Sequence, residues 1–94
     1  MDRIKVKGKI SKHKVHIYTI STCQWCKKTK NLLKDNDIEY SYVDIDLCNE
    51  DEQKIIRDEI HSKGGSLTYP AIIVDDKIMI NGYIEGKIRK VLEF

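Results

Sequence analysis

Two cysteines three positions apart, Cys23 and Cys26, stand between a strand-like run and a helical pattern, and no other feature limits this chain so much. The run Val15 to Thr19 is rich in β-formers. Behind it, Trp25, Thr29, Leu32 and Leu33 recur at helical spacing. A helix from Cys23 to about Lys34 puts both thiols on one face, because residues three apart bring their Cβ atoms to roughly 5–6 Å. Small adjustments then close a disulfide. Unpaired N–H groups and the partial positive charge of a helix start also favour a thiolate over a thiol. A strand, a sharp turn and a helix opening with C-x-x-C read as a redox pair, with metal binding as the alternative.

Composition narrows the alternatives. Ninety-four residues suffice for one core, and 40% hydrophobic with 34% charged residues is a globular balance. The net charge of +2 is too small to argue for nucleic acid, since 14 of the 17 basic residues are lysines scattered among 15 acids. No apolar run reaches the roughly 18 residues of a transmembrane helix. Met1-Asp2-Arg3-Ile4-Lys5 lacks the apolar core of a secretory signal, so a cytoplasmic location and no membrane partner are expected. Three cysteines are too few, and odd in number, for a disulfide framework. In a reducing compartment a close pair serves catalysis or metal binding. A bridge across so few residues also constrains the unfolded chain little.

Residues 1–12 are basic and partly alternating, an N-terminal extension or extra edge strand with Ile4, Val6 and Ile10 against Lys5, Lys7 and Lys9. The domain proper spans 13–94. Its first strand should carry Val15, Ile17 and Thr19 on one face and His16 and Tyr18 on the other, with His13 and His16 as ordinary surface or edge histidines. After the C-x-x-C helix, whose Lys27, Lys28, Lys30 and Lys34 face outward, Asp35-Asn36-Asp37 turns into a second strand from Ile38 to Ile45. A crossover of this length predicts a parallel pair in a right-handed unit. Asn49 and Glu52 resemble a capping box for a helix burying Ile55, Ile56 and Ile60, stopped by Gly64-Gly65. Ala71 to Val74 predicts a central strand, Asp75-Asp76 a hairpin turn into Lys77 to Ile80, and Asn81-Gly82 another turn. Ile84, Ile88, Val91 and Leu92 make a last amphipathic helix. The expected order is β-α-β-α-β-β-α, an α/β fold.

In these residues the chain resembles the thioredoxin superfamily, and within it the glutaredoxin branch. The likeness runs from about His13 to the C-terminus. It is carried by Ile17-Tyr18-Thr19 entering Ser21-Thr22-Cys23-Gln24-Trp25-Cys26, by Thr68-Tyr69-Pro70, and by Asn81-Gly82-Tyr83. The resemblance implies a thioredoxin-like fold, a four-stranded mixed sheet flanked by three helices, and a small dithiol–disulfide oxidoreductase. Cys23 would be its nucleophile, the more exposed and more acidic thiol, and Cys26 its resolving thiol. Thr22, Trp25, Thr68, Tyr69, Pro70 and Gly82 would line the substrate-binding surface. Pro70, the chain's one proline, would be cis and would turn the Tyr69 backbone toward a bound polypeptide. Lys27 and Lys28 would lend electrostatic support.

Departures from the family pattern bear on the electron donor. Glutaredoxins typically carry a lysine three residues before the first cysteine, where this chain has Ile20. The usual Gly-Gly turn is Asn81-Gly82-Tyr83-Ile84 with Glu85 one step late, and C-P-Y-C is C-Q-W-C. The pattern resembles glutaredoxin-like redoxins reduced by a reductase and serving ribonucleotide reductase, with glutathione as the alternative reductant. The expected partners are therefore disulfide-containing proteins and such a donor, with no bound cofactor and with the chain acting as a monomer. Zinc at Cys23, Cys26 and Cys48 lacks a second paired ligand set. A cluster bridged by Cys23 is found in family members that commonly lack the second cysteine. A non-catalytic adaptor would not need Cys23, Cys26 and Pro70 all present. Cys48 is expected to be a semi-buried small side chain.

Overall fold

In the computed structural model, which describes residues 3–94, the chain runs β1 (Ile4–Val6), β2 (Val15–Thr19), α1 (Gln24–Asp35), β3 (Tyr40–Asp44), a 3-10 turn (Ile45–Leu47), α2 (Glu50–Ser62), β4 (Ala71–Val74), β5 (Ile78–Asn81) and α3 (Glu85–Leu92). Met1 and Asp2, the start of the expected 1–12 extension, lie outside the described residues. One mixed sheet has the order β1-β3-β2-β4-β5: β2 and β3 are parallel, and the other neighbours antiparallel. The expected four strands thus gain β1 as a fifth, paired through Ile4↔Tyr42 and Val6↔Tyr40. This is a thioredoxin-like fold. The arm after β1 is held by Ile10 N–H to Asp37 C=O (2.9 Å) and Glu39 N–H to Ile10 C=O (2.8 Å). Glycine at position 8 makes this approach feasible, since a Cβ there would stand 2.5 Å from the Asp37 carbonyl oxygen.

Each sheet face has its own core. Val15, Ile17, Ile72, Val74 and Ile80 pack with Leu32 and Leu33 of α1 and Ile88 and Leu92 of α3. Tyr18, Val43, Ala71 and Ile73 pack with Ile56 and Ile60 of α2. Truncating one of the buried leucines or isoleucines among them to alanine costs about 2–5 kcal/mol. The helix ends follow from local chemistry. Asn49 and Glu52 form the capping box in both directions (2.8 and 3.1 Å). Gly64, at φ +76, closes α2 with Gly65 N–H to Ile60 C=O and Gly64 N–H to His61 C=O. Asp37, at φ 60, ends α1 by the same pair of bonds, to Leu33 and Lys34. Asp75 and Asp76 both take positive φ, and Lys77 N–H bonds Val74 C=O, a type I′ hairpin turn.

Several sequence expectations need correction. His16 is not a surface or edge histidine: it is 3% exposed on the central strand β2, where both faces are covered. Its Nδ1 pairs with Ser41 Oγ (2.7 Å), and burial pulls its pKa down to about 4, which keeps it neutral. His13 is half-exposed and holds two carboxylates, Asp75 at Nδ1 (2.7 Å) and Glu93 at Nε2 (2.9 Å). Trp25 and Ile55, assigned to buried helix stripes, are 55% and 58% exposed, and Ile84 is exposed too. Cys26 occupies the buried place on α1 that Trp25 was to fill. The second strand is shorter than Ile38–Ile45, because Ile38 bridges Ile10 and Ile45 starts the 3-10 turn. Lys30 does not face outward: its Nζ lies 3.4 Å from Asp44 Oδ1 and 3.8 Å from the Tyr42 ring centre.

Candidate active site at the start of α1

The sheet topology gathers the chemistry at one end. Parallel β2 and β3 both finish there, and antiparallel β4 starts there. β5 finishes beside the start of β4. The turn leaving β2 closes with Cys23 N–H to Ile20 C=O (3.0 Å). Asp46, in the turn after β3, anchors it from outside: its Oδ1 accepts Ser21 N–H (2.9 Å) and its Oδ2 accepts the Ser21 hydroxyl. These bonds hold the Asp46 carboxyl below the usual carboxylate range. Thr22 sits exposed in this turn.

Cys23 is the N-cap of α1, and its Sγ accepts the Cys26 N–H at 3.2 Å. The sulfur therefore takes the capping place normally filled by an Asp or Ser oxygen, satisfying a helix-start donor. Cys23 is partly exposed, whereas Cys26 is 1% exposed. Burial, and secondarily the hydrogen bond with Cys23, push the Cys26 thiol up to about 12. All three cysteines are free thiols. Cys48 is half-buried and points its thiol at the Asp44 carbonyl (3.6 Å); burial and Glu52 raise its pKa. Among the described residues no group of three or more His, Cys, Asp or Glu could hold a metal ion.

Across the β2–β4 ladder, Pro70 stands one residue beyond the Tyr18↔Ala71 pair, level with Thr19, and Tyr69 is level with Ile20. The Tyr69–Pro70 bond is cis. Gly82, at φ +90, donates its N–H to Pro70 C=O (2.7 Å), and exposed Thr68 gives its carbonyl to the Asn81 amide (3.1 Å). A groove of about 430 Å³ is lined by Ile20, Ile45, Asp46, Gln53, Arg57, Leu67 and Tyr69, with Arg57 its one cation and Asp46 its one anion. On the other flank Trp25 stacks on Tyr83 (centroids 5.9 Å apart, planes at 26°).

The glutaredoxin family model matches residues 15–79. This chain belongs to the glutaredoxin family. It is 33% identical over 79 residues to a Clostridium pasteurianum protein described as an uncharacterized glutaredoxin-like 8.6 kDa protein in the rubredoxin operon, covering 84% of this chain and 97% of that one. The crystal structure of a glutaredoxin from Methanosarcina mazei Go1 superposes with a TM-score of 0.88 at 35% identity, over 100% of this chain and 90% of that chain. Methanosarcina acetivorans methanoredoxin superposes at 0.84 with 38% identity, over 93% and 90%. Family membership supports a redox role of the thiol–disulfide oxidoreductase type.

In this glutaredoxin Cys23, Cys26, Thr22 and Trp25 come together at the start of α1, and Thr68, Tyr69, Pro70 and Gly82 at the adjoining strand ends. Lys27 and Lys28 are both exposed, and Lys28 Nζ lies 4.7 Å from the Trp25 ring centre. Lys30 is the lysine whose charge reaches Cys26. The sequence shows Asn81 and Tyr83 as parts of a turn, but not the bonds of the Asn81 amide or the stacking of the Tyr83 ring, and it gives no sign of Asp46. Asp46 and Asn81 act through bonds to residues at least 13 positions away. No helix among the described residues is long and apolar enough to cross a membrane.

Proposed function

We propose that this glutaredoxin is a dithiol–disulfide oxidoreductase that reduces disulfides in proteins through Cys23 and Cys26. The observation that carries the reading is the asymmetry of the pair: Cys23 caps the helix and meets solvent, whereas Cys26 is buried behind it and kept a thiol. The Cys23 thiolate attacks one sulfur of a substrate disulfide. That S–S bond breaks, a mixed disulfide forms, and the departing sulfur takes up a proton. Cys26 then loses its proton and attacks Cys23 Sγ, releasing the second substrate thiol and leaving Cys23–Cys26 oxidised. The substrate gains two electrons and two protons: the chain gives up the two electrons and the Cys26 proton, and solvent supplies the other proton, since Cys23 enters as the thiolate. A thiol donor reverses the step.

Tyr69 supports a place for the substrate. Its main-chain N–H and C=O are engaged by none of the bonds that hold Ser66, Thr68 and Pro70, so an extended segment can pair with it as a short added strand. Trp25 and Leu67 are apolar and exposed on either side, suited to contact with a protein. We assign the donor to a reductase, because Ile20 offers no cation to a glutathione carboxylate and Asp46 puts a negative charge beside it in the groove. Arg57 in the same groove favours a second reading in which glutathione is the donor. A ribonucleotide reductase is the protein substrate proposed from the sequence pattern.

Replacing Cys23 with serine tests the mechanism. Insulin disulfide reduction should fall to background, while Cys26→Ser should accumulate mixed disulfides. Undiminished reduction by Cys23→Ser defeats the mechanism. Comparing re-reduction of the oxidised chain by glutathione and by a flavoprotein disulfide reductase decides the donor. Fast re-reduction by glutathione alone selects the second reading.

A further inference from the structure

The loop that carries Thr68, Tyr69 and Pro70 has no regular structure of its own, yet it is held from two adjacent positions, 81 and 82. Asn81 ends β5. Its Oδ1 accepts the Ser66 N–H at 3.0 Å, and its Nδ2 donates to Ser66 C=O at 2.7 Å and to Thr68 C=O at 3.1 Å. The next residue, Gly82, donates its N–H to Pro70 C=O at 2.7 Å. Positions 81 and 82 therefore secure the loop before and after Tyr69 and leave the Tyr69 main chain between the two anchors. One further bond lies within the loop, Ser66 Oγ to Thr68 Oγ1 at 3.2 Å.

We propose that Asn81 is a positioning residue: its side-chain amide clamps the 66–68 backbone so that the Tyr69 main chain is set in place before a protein substrate arrives. This rests on the reading of Tyr69 as the point where an extended substrate segment is received. The chemistry is specific to a short amide. The clamp needs two donors and one acceptor from a single side chain, and asparagine supplies both. Aspartate keeps the acceptor but turns an oxygen toward two carbonyls, serine offers one short hydroxyl, and glutamine is a methylene too long. The orientation of the amide is also fixed, because flipping it sets Oδ1 against both carbonyl oxygens. A loop ordered in advance loses less freedom when a substrate docks, so the clamp acts on substrate affinity and not on the reactivity of Cys23.

The test compares wild type, Asn81→Ala and Asn81→Asp in the steady-state reduction of insulin, together with the rate at which iodoacetamide alkylates Cys23. KM for insulin should rise about tenfold in Asn81→Ala and further in Asn81→Asp, with kcat and the alkylation rate unchanged. A filler of space would reverse the order, since aspartate nearly matches asparagine in shape. That reversal overturns the assignment, as does an unchanged KM or a parallel fall in kcat and alkylation. Should the variants misfold, amide exchange in wild type takes their place: the exposed Ser66 N–H should be protected, and exchange at the rate of a free loop overturns the clamp. If wild type itself reduces no insulin through Cys23, the underlying reading fails. With wild type active, a silent substitution removes only Asn81.

Discussion

The two ends of strand β2 share main-chain bonds but differ in what surrounds them. At the end that leads to Cys23, the turn, the loop and the helix start are tied by bonds to main-chain groups: Ser21 N–H to Asp46, Cys26 N–H to Cys23, and the Ser66 and Thr68 backbone to Asn81. Apolar Trp25 and Leu67 are left exposed around them. The other end adds a set of side-chain charge pairs to main-chain bonds such as Asp75 N–H to Lys14 C=O (2.8 Å) and Lys14 N–H to Asp75 Oδ1 (2.8 Å). His13 joins Asp75 and Glu93, Lys12 joins Glu93, and Lys14 joins Asp76, so the N-terminal arm, the β4–β5 turn and the chain end meet there. The contrast separates two jobs. In the proposed function the main-chain bonds around Cys23 set atoms in place for thiol exchange, whereas exposed ion pairs in water add little energy each and tolerate exchange. Changes at the Cys23 end should therefore damage function more than stability, and changes at the far end the reverse.

The largest stability effect should come from Gly8→Ala at the far end. The added Cβ meets main-chain atoms of Asp37, Ile38 and Glu39 at 2.5–2.7 Å, so the arm must shift. A loss of about 1–3 kcal/mol in chemical denaturation is expected, with insulin reduction unchanged. Next comes Asp46→Ala at the Cys23 end. It frees Ser21, costs about 1 kcal/mol because Asp46 is exposed, and slows insulin reduction by roughly tenfold as the turn before Cys23 loosens. Equal losses of stability and activity in both variants would erase the contrast.

His13→Ala sharpens the far end through pH. Hydrogen bonds to Asp75 and Glu93 raise the folded-state pKa of His13 above its ordinary 6.5. Its contribution is therefore full below pH 6.5 and fades as pH climbs through the raised value. The melting-temperature gap between wild type and His13→Ala, worth less than about 1 kcal/mol at an exposed site, should narrow from about pH 6 to about pH 9. A gap that widens instead contradicts the stabilisation of charged His13 by Asp75 and Glu93. Lys5→Ala should have the smallest effect, below about 0.5 kcal/mol, because its 3.9 Å pair with Glu39 is exposed. Raised salt should leave that difference near zero.

The same contrast explains what the sequence discloses. Local signals survive folding: the C-x-x-C after a β-run, the Asn49–Glu52 capping box, the stop at Gly64, and the Asp75-Asp76 turn all depend on neighbours within a few residues. β2 misleads because His16 and Tyr18 look like a polar face. His16 Nδ1 and the Tyr18 hydroxyl find Ser41 and Glu59 across the fold, and both rings are buried. Trp25 misleads the other way, since an aromatic at helical spacing reads as core, yet Tyr83 and Lys28 hold it at the surface. The bonds made by Asp46 and Asn81 are hidden for the same reason. A carboxylate or amide that bonds a backbone group 25 or 15 residues away leaves no trace in spacing.

In the proposed function Cys23 and Cys26 form one redox pair, and Cys48 stands outside it. Reaction of the fully reduced chain with a stoichiometric disulfide, followed by alkylation of remaining thiols and peptide mass mapping, tests it directly. A Cys23–Cys26 disulfide with Cys48 alkylated is the expected product. A bridge that includes Cys48, or a chain that stays fully reduced, contradicts it.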